Sequence, residues 1–354
     1  MTNSLPLKLA AGVVVFFFLQ VAILEHWLSL RFPLLNQDNI PKDVELSHKV
    51  LDVQHHGGND CFESITPAML NKSAMIRESC MNSPSPFKQT NFRMATLMAH
   101  FGKPEAHYQR AMQTHMMLGA VHNYPMHVMC RPVIDDLWNK PAFILSVILD
   151  EMAKPPDERL QWLLWADRDT IILDYCRHPT SFLLPQADSS ATTRTAKGNP
   201  AHLLVSNDWN GLNNGVFLVH VDQWSIELFS DILAFRHFRP DVKLRFTEQS
   251  AMEIIIKEEK YKSGVQYVPQ HWFNAYPEGL ADELITRANT TGLPERAARR
   301  GDFLVHFAGN GDKGRAITEW LDTSMKVGNV WQTGRAQRDV TEEVVEFWVD
   351  AQSK

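Results

Sequence analysis

Apolar residues fall along this chain in three textures. The first is uninterrupted: residues 9–24, "LAAGVVVFFFLQVAIL", carry no charge and one strongly polar side chain, Gln20, with Lys8 before the run and Glu25 and His26 after it. Extended over residues 9–30 it approaches the roughly 20 residues that a helix needs to cross a bilayer. A buried core helix would show a polar face, and a cleaved signal peptide would show a small-x-small site; neither is visible. The run therefore predicts a single uncleaved signal anchor, with residues 1–8 as a cytoplasmic tail and the rest in the lumen. One lysine orients it only weakly under the positive-inside rule.

The second texture, residues 31–85, has no sustained period and contains "HHGGND" and "NSPSPF", which reads as a lumenal stem and irregular lead-in. The pair His55-His56 offers imidazoles to a metal, but the glycines after it and the lack of a partner motif favour a solvated loop.

The third texture alternates. "FRMATLMAHFG" (92–102) predicts a buried strand closing on Gly102, and residues 104–123 a helix with Pro in its first turn. Residues 124–130 predict a strand, 139–154 a helix, and "LQWLLWADRDTIILD" (160–174) a third strand. A polar linker (185–199) then leads to a strand at 201–208. Strand, helix, strand, helix, strand is the pattern of an α/β fold with a mostly parallel sheet flanked by helices, in which ligands gather at the carboxyl ends of the strands. This domain is placed at 86–335, followed by a C-terminal helix or tail at 336–354.

Acids inside that third strand raise the chemical question, because burying an unpaired carboxylate costs several kcal/mol. On an ideal strand Asp167 and Asp169 share one face, about 6 to 7 Å apart along it, and like charges that close need a cation between or beyond them. Magnesium and manganese suit oxygen ligands and phosphate; the competing reading is a surface turn in which the acids flank Arg168. The apolar run leading into them favours a site. In "SNDWNGLNNGVFLVHV" (206–221), Asn213 and Asn214 offer hydrogen-bonding groups and Gly211 and Gly215 allow turns or close ligand approach, while Asn210-Gly211 is also a hairpin signal. "FTEQSAMEIIIKEE" (246–259) places Glu248 and Gln249 at a helix start with Thr247 as its cap. "FLVHFAGNGDKGR" (303–315) runs a strand into a glycine-rich turn: His306 is a third metal-ligand candidate, and Gly309, Gly311 and Lys313 suit a diphosphate. The spacing is not that of a P-loop.

Composition adds bounds. A net charge of −6 on 354 residues argues against a general nucleic-acid binder. Cys61, Cys80, Cys130 and Cys176 permit three full pairings, with Cys61 to Cys80 nearest in sequence, or buried free thiols; without a CxxC pair, thiolate metal binding is disfavoured. Asn71-Lys72-Ser73 and Asn289-Thr290-Thr291 fit the N-glycosylation pattern.

In order, "YPMHV", "LWNKPAFIL", "WLLWADRDTIILD", "NGLNNGVFLV", "EQSAM", "PQHWFNAYP" and "HFAGNGDKG" resemble glycosyltransferase family 34, which includes fungal Golgi alpha-galactosyltransferases and alpha-mannosyltransferases and plant xyloglucan xylosyltransferases. The resemblance runs from about Phe92 to Trp320. It implies a Rossmann-like GT-A fold, type II Golgi membrane topology, a UDP- or GDP-hexose donor, a glycan or glycoprotein acceptor, manganese or another divalent cation, and transfer with retention. Complexes with other Golgi glycosyltransferases are also in keeping with it. By motif, Asp167, Asp169 and His306 would hold the cation. Gly309 and Lys313 would contact the diphosphate, Asn213 and Gly215 would line the sugar pocket, and Gly102 and Arg168 complete the expected donor-binding set. Glu248 and Gln249 match the pair beside the reacting sugar, although Thr247 stands where many members carry another acid. A non-catalytic nucleotide-sugar or glycan-binding protein on the same fold is the alternative. A phosphohydrolase would want more ligands for two metals than the sequence offers.

Overall fold

Apolar runs become strands buried on both faces. The computed structural model describes residues 51–58, 61–88, 92–183 and 201–353. The expected tail, anchor, first part of the stem and the whole 185–199 linker lie outside the described residues. In chain order the elements are β1 (Val53–His56), α1 (Pro67–Met81), β2 (Met94–Ala99), α2 (Ala106–His122), β3 (Met126–Met129), α3 (Asn139–Met152), β4 (Trp162–Ala166), β5 (Thr170–Ile172), β6 (Leu203–Asp208), β7 (Gly211–His220), α4 (Gln223–Phe238), α5 (Thr247–Ile255), β8 (Val265–Tyr267), α6 (Glu283–Thr286), β9 (Leu304–His306), α7 (Lys313–Val327) and α8 (Thr341–Ser353). No helix among the described residues is long and apolar enough to cross a membrane.

Seven strands form one sheet in the order β1-β3-β2-β4-β7-β6-β8. All neighbouring pairs are parallel except those of β7, which runs antiparallel to β4 and β6. Alternate side chains explain the continuous hydrophobicity: Leu163, Trp165, Phe217 and Val219 pack with α3, α4 and α5 on one face, while Trp162, Leu164, Val216 and Leu218 pack with Phe182, Trp272, Phe303 and Trp348 on the other. A strand covered on both sides has no polar phase to show.

The third strand is shorter than the sequence suggested. β4 stops at Ala166, and residues 168–169 form a turn before β5, which pairs antiparallel with β9 in a separate two-stranded ribbon. Asp167 and Asp169 therefore do not share a strand face; they sit on a turn that redirects the chain from one sheet to the other.

The expected stem boundary and the histidine loop also need correction. β1 extends the sheet as an edge strand paired with β3, and α1 packs on α2. His55 and His56 thus lie in a strand, where His56 Nε2 meets His127 Nδ1 at 3.1 Å. Nor is Cys61 joined to its neighbour in sequence: the bridges are Cys61–Cys130 and Cys80–Cys176, which tie this lead-in segment to the ends of β3 and β5.

Candidate functional site

A cleft of about 890 Å³ opens at the carboxyl ends of β2, β3, β4 and β6, and all eleven sequence-predicted site residues line it. Asp167 follows β4 directly, and its N–H donates to the Gly215 carbonyl on β7 at 2.8 Å. Two residues on, the Asp169 carbonyl accepts from the Phe307 N–H at 2.9 Å, and Thr170 faces His306 in the ribbon register. The turn and the ribbon together bring positions 139 residues apart in sequence into one cluster: oxygens of Asp167 and Asp169 and a ring nitrogen of His306 all lie within 4.8 Å of one another.

The surroundings suit a cation. His306 Nδ1 lies 2.8 Å from Asn274 Oδ1. That oxygen can only accept, because the Asn274 amide nitrogen donates to Ser206 Oγ and Asn213 Oδ1. The Nδ1 proton is thereby assigned, and Nε2 lies 3.5 Å from Asp169 Oδ1, the orientation and outer support a metal-ligating histidine requires. Support continues outward: Asn213 donates to Tyr276 Oη (2.6 Å) and Asp208 (3.1 Å), and the Tyr276 hydroxyl donates to Asp208 (2.6 Å). Gly215 leaves room for the ring, since a Cβ there would lie 2.2 Å from His306 Cε1. Two carboxylates and one imidazole fit a divalent ion that also takes phosphate oxygens.

Charge around the triad is arranged in two pairs. Burial works against the Asp169 carboxylate, but His306 and then Lys313 outweigh it and hold its pKa well below the usual carboxylate range. Lys313, the first residue of α7, is ion-paired with Asp169 Oδ2. Asp167 accepts from Trp165 Nε1 at 2.7 Å and from Lys140 Nζ at 3.0 Å.

Lys140 is the main residue that the sequence reading passed over. It belongs to the first turn of α3, is nearly buried, and reaches Glu248 Oε1 at 3.5 Å as well as the Asn214 carbonyl and side-chain oxygens at 3.0 Å. Burial would neutralise it, yet Asp167 and Glu248 raise its pKa, so it stays charged. One ammonium shared by two carboxylates does not compensate both. Burial raises the Glu248 pKa, and Asp167 adds to the rise while Lys140 opposes it. Glu248 Oε2 is buried without a protein partner, an acceptor left for a ligand. The signal for Lys140 was present in "LWNKPAFIL", a lysine amid residues that build the core. Asn274 and Tyr276 were likewise visible in "PQHWFNAYP", but their roles depend on contacts across the fold.

Three sequence expectations change in detail. Thr247 is the first residue of α5 rather than its cap, with φ +45, and the Phe246 N–H instead donates to Ser250 Oγ. Positive φ is strained for a β-branched residue, and Asp136, with φ +50, lines the same cleft. Asn213 lines the cleft but spends its amide on Asp208, Tyr276, Asn274 and the Gly215 N–H. Arg168 stacks its guanidinium 4.2 Å from the centre of the Tyr108 ring. Gln249 accepts from the Asn214 N–H at 3.2 Å, while Gly102 (φ +92) and Gly309 (φ +68) border open space.

Known proteins are similar to part of this chain. The chain is 25% identical over 217 residues to the probable alpha-1,2-galactosyltransferase gmh1 of Schizosaccharomyces pombe, covering 55% of this chain and 60% of that protein. It is 24% identical to xyloglucan 6-xylosyltransferase 4 of Arabidopsis thaliana, covering 49% and 34% of the two chains. It is 22% identical to the probable alpha-1,6-mannosyltransferase MNN10 of Saccharomyces cerevisiae, covering 42% and 41%. The chain thus spans less than two thirds of the length of these curated relatives. Among solved structures, a glycosyltransferase involved in glycosylation of the major capsid of PBCV-1 aligns with a TM-score of 0.45 and 16% identity, covering 64% of this chain and 98% of that one. A sequence profile matches residues 103–315, from the loop after β2 to the first turn of α7, and by that match the chain belongs to the galactosyl transferase GMA12/MNN10 family.

Proposed function

We propose that this protein is a retaining glycosyltransferase that moves a hexose, galactose or mannose, from a UDP- or GDP-sugar to a glycan or glycoprotein acceptor in a cation-dependent reaction. The observation that carries this reading is the gathering of Asp167, Asp169, His306, Lys313, Glu248 and Gln249 around one cleft of about 890 Å³, a size suited to a nucleotide sugar. Family membership and the names of the relatives support it.

Asp167, Asp169 and His306 would hold the cation, whose chemistry is to stabilise negative charge on the departing diphosphate. Lys313 adds an ammonium to the same charge, and Gly309 lets the backbone approach it. Arg168, held over Tyr108, and Gly102 would meet the nucleotide. Gly215 and the Asn214 amide border the donor sugar. Glu248 presents its unpartnered Oε2 to the sugar's reacting side, with Gln249 beside it. Retention follows either from Glu248 attacking the anomeric carbon or from same-face attack by the acceptor within an ion pair. Trp209, exposed at the tip between β6 and β7 and at the rim of the cleft, offers a ring face to an acceptor sugar.

The uncharged run at 9–24 supports a type II anchor in the Golgi membrane, with the cleft in the lumen. Both disulfides agree with an oxidising compartment. Asn289, exposed on a turn, is an N-glycan acceptor in this reading. The test is cation-dependent hydrolysis of a panel of nucleotide sugars by the full chain. Turnover of a UDP- or GDP-hexose with manganese, abolished by Asp169→Asn with the fold retained, is expected; binding of the donor without transfer to any glycan would instead support the non-catalytic alternative.

A further inference from the structure

A second cluster lies at the opposite end of the strands, five residues along β7 from Gly215, roughly 17 Å at the rise of a strand. There His202, His220 and Asp222 place two imidazole nitrogens and a carboxylate oxygen within 4.8 Å of one another. We propose that these three residues form a transition-metal site, for zinc by its donor set, separate from the cleft.

The geometry is convergent and rigid. His202 Nδ1 and His220 Nδ1 both point at the same oxygen, Asp222 Oδ2, at 2.5 and 2.7 Å. The other oxygen of Asp222 is already used, accepting the Ser225 N–H at 2.9 Å as the cap of α4, so the carboxylate is fixed as a one-oxygen ligand. Each ring is held from outside: His202 stacks on Trp224 with centroids 4.9 Å apart, and His220 meets the edge of Trp162 at 5.0 Å. The backbones are joined as well, the His220 N–H donating to the His202 carbonyl at 2.8 Å. Gly264 is shaped to this arrangement, since a Cβ there would lie 2.8 Å from His202 Cδ2 and 2.9 Å from Trp224.

Two imidazoles and a carboxylate are the three protein ligands of an open tetrahedral zinc site. Ligand bonds of about 2.0 to 2.1 Å place neighbouring donors about 3.3 Å apart, so the two nitrogens, now at 2.5 and 2.7 Å, would draw back from Asp222 by about 0.6 to 0.8 Å. Binding requires both Nδ1 lone pairs, so each ring carries its remaining proton on Nε2. The three side chains are only partly buried, with exposures of 22%, 32% and 21%, which leaves the fourth position to water. Imidazole favours zinc over manganese, so this donor set leans further toward zinc than the two-carboxylate set of the cleft.

The test strips the full chain with chelator, dialyses it against zinc alone and counts bound metal, in an Asp169→Asn background that disables the cleft site. About one equivalent is expected, with the strong visible absorption of four-coordinate cobalt when cobalt(II) replaces zinc. His202→Gln and His220→Gln, each able to keep a hydrogen bond to Asp222, are expected to lose that equivalent and the cobalt band while retaining nucleotide-sugar turnover in the otherwise unaltered chain. Either variant that folds suffices. No bound zinc in the Asp169→Asn chain, or zinc binding unchanged by the histidine substitutions, would overturn the proposal and leave the cluster as a hydrogen-bonded helix cap.

Discussion

Replacing Lys140 by Met removes one charge and almost no volume, and its effect can be worked from the contacts. The ammonium lies 3.0 Å from Asp167 and 3.5 Å from Glu248. Breaking a buried ion pair by deleting one partner costs about 3–5 kcal/mol, because the other charge is left without compensation. Asp167 is 30% exposed and can recover water, whereas Glu248 is 3% exposed and cannot, so the lower end applies, about 3 kcal/mol near neutral pH. The loss has a defined pH dependence. Glu248 already has a folded pKa raised above its unfolded value of 4.5 by burial, and without Lys140 the rise is larger. A group with a raised folded pKa contributes fully below its unfolded pKa and loses that contribution as pH rises through the folded one. The deficit of Lys140→Met is therefore large near pH 7 and small below about 4.5. Urea unfolding of both proteins at the two pH values, with chelator present, measures it; m should not change. A deficit under about 1 kcal/mol near neutral pH, or an equal deficit at both, would refute the shared-cation account.

Gly215→Ala is expected to displace His306, because the new Cβ meets the ring at 2.2 Å; the change should cost about 1–3 kcal/mol and weaken manganese binding at least about tenfold, and unchanged affinity in a metal titration would show that the ring's position is not decisive. Replacing Cys80 and Cys176 by Ser opens a bridge that spans 96 residues and should cost about 2–5 kcal/mol, seen as a lower thermal midpoint than that of the parent. Burial lowers the pKa of His122 and His127 to about 4, from an ordinary 6.5. A lowered folded pKa gives stability that is fully present above 6.5 and lost as pH falls through about 4. The unfolding free energy should decline across that window and His122→Gln should flatten the decline; an unchanged slope would contradict the assignment.

Much of the sheet was legible because parallel strands buried on both faces leave unbroken apolar runs such as "WLLWA", and Asp167 and Asp169 stood out against one. What escaped was set by contacts between distant residues. The end of β4 at Ala166 is invisible locally, since "DRDTIILD" continues the apolar texture; it is the pairing of Thr170–Ile172 with Leu304–His306 that turns the chain. The bridges Cys61–Cys130 and Cys80–Cys176 were one of three pairings the count allowed, and both join segments far apart in sequence. The Asn213 amide could serve substrate or scaffold equally well on sequence alone; only the positions of Asn274 and Tyr276 show that it is hydrogen-bonded to the residue that holds His306. Lys140 escaped because its partner Glu248 stands more than a hundred residues on in the sequence.

Asp167, Asp169, His306 and Lys313 together would hold a cation and a diphosphate. Calorimetric titration of UDP and GDP into the full chain, with and without manganese, tests this most directly. Binding of at least one nucleotide that strengthens at least about tenfold with manganese, with that gain lost in Asp169→Asn and the metal-free affinity reduced in Lys313→Ala, is the expected result. Nucleotide affinity indifferent to manganese in the parent chain, or a manganese effect that survives Asp169→Asn, would contradict the account.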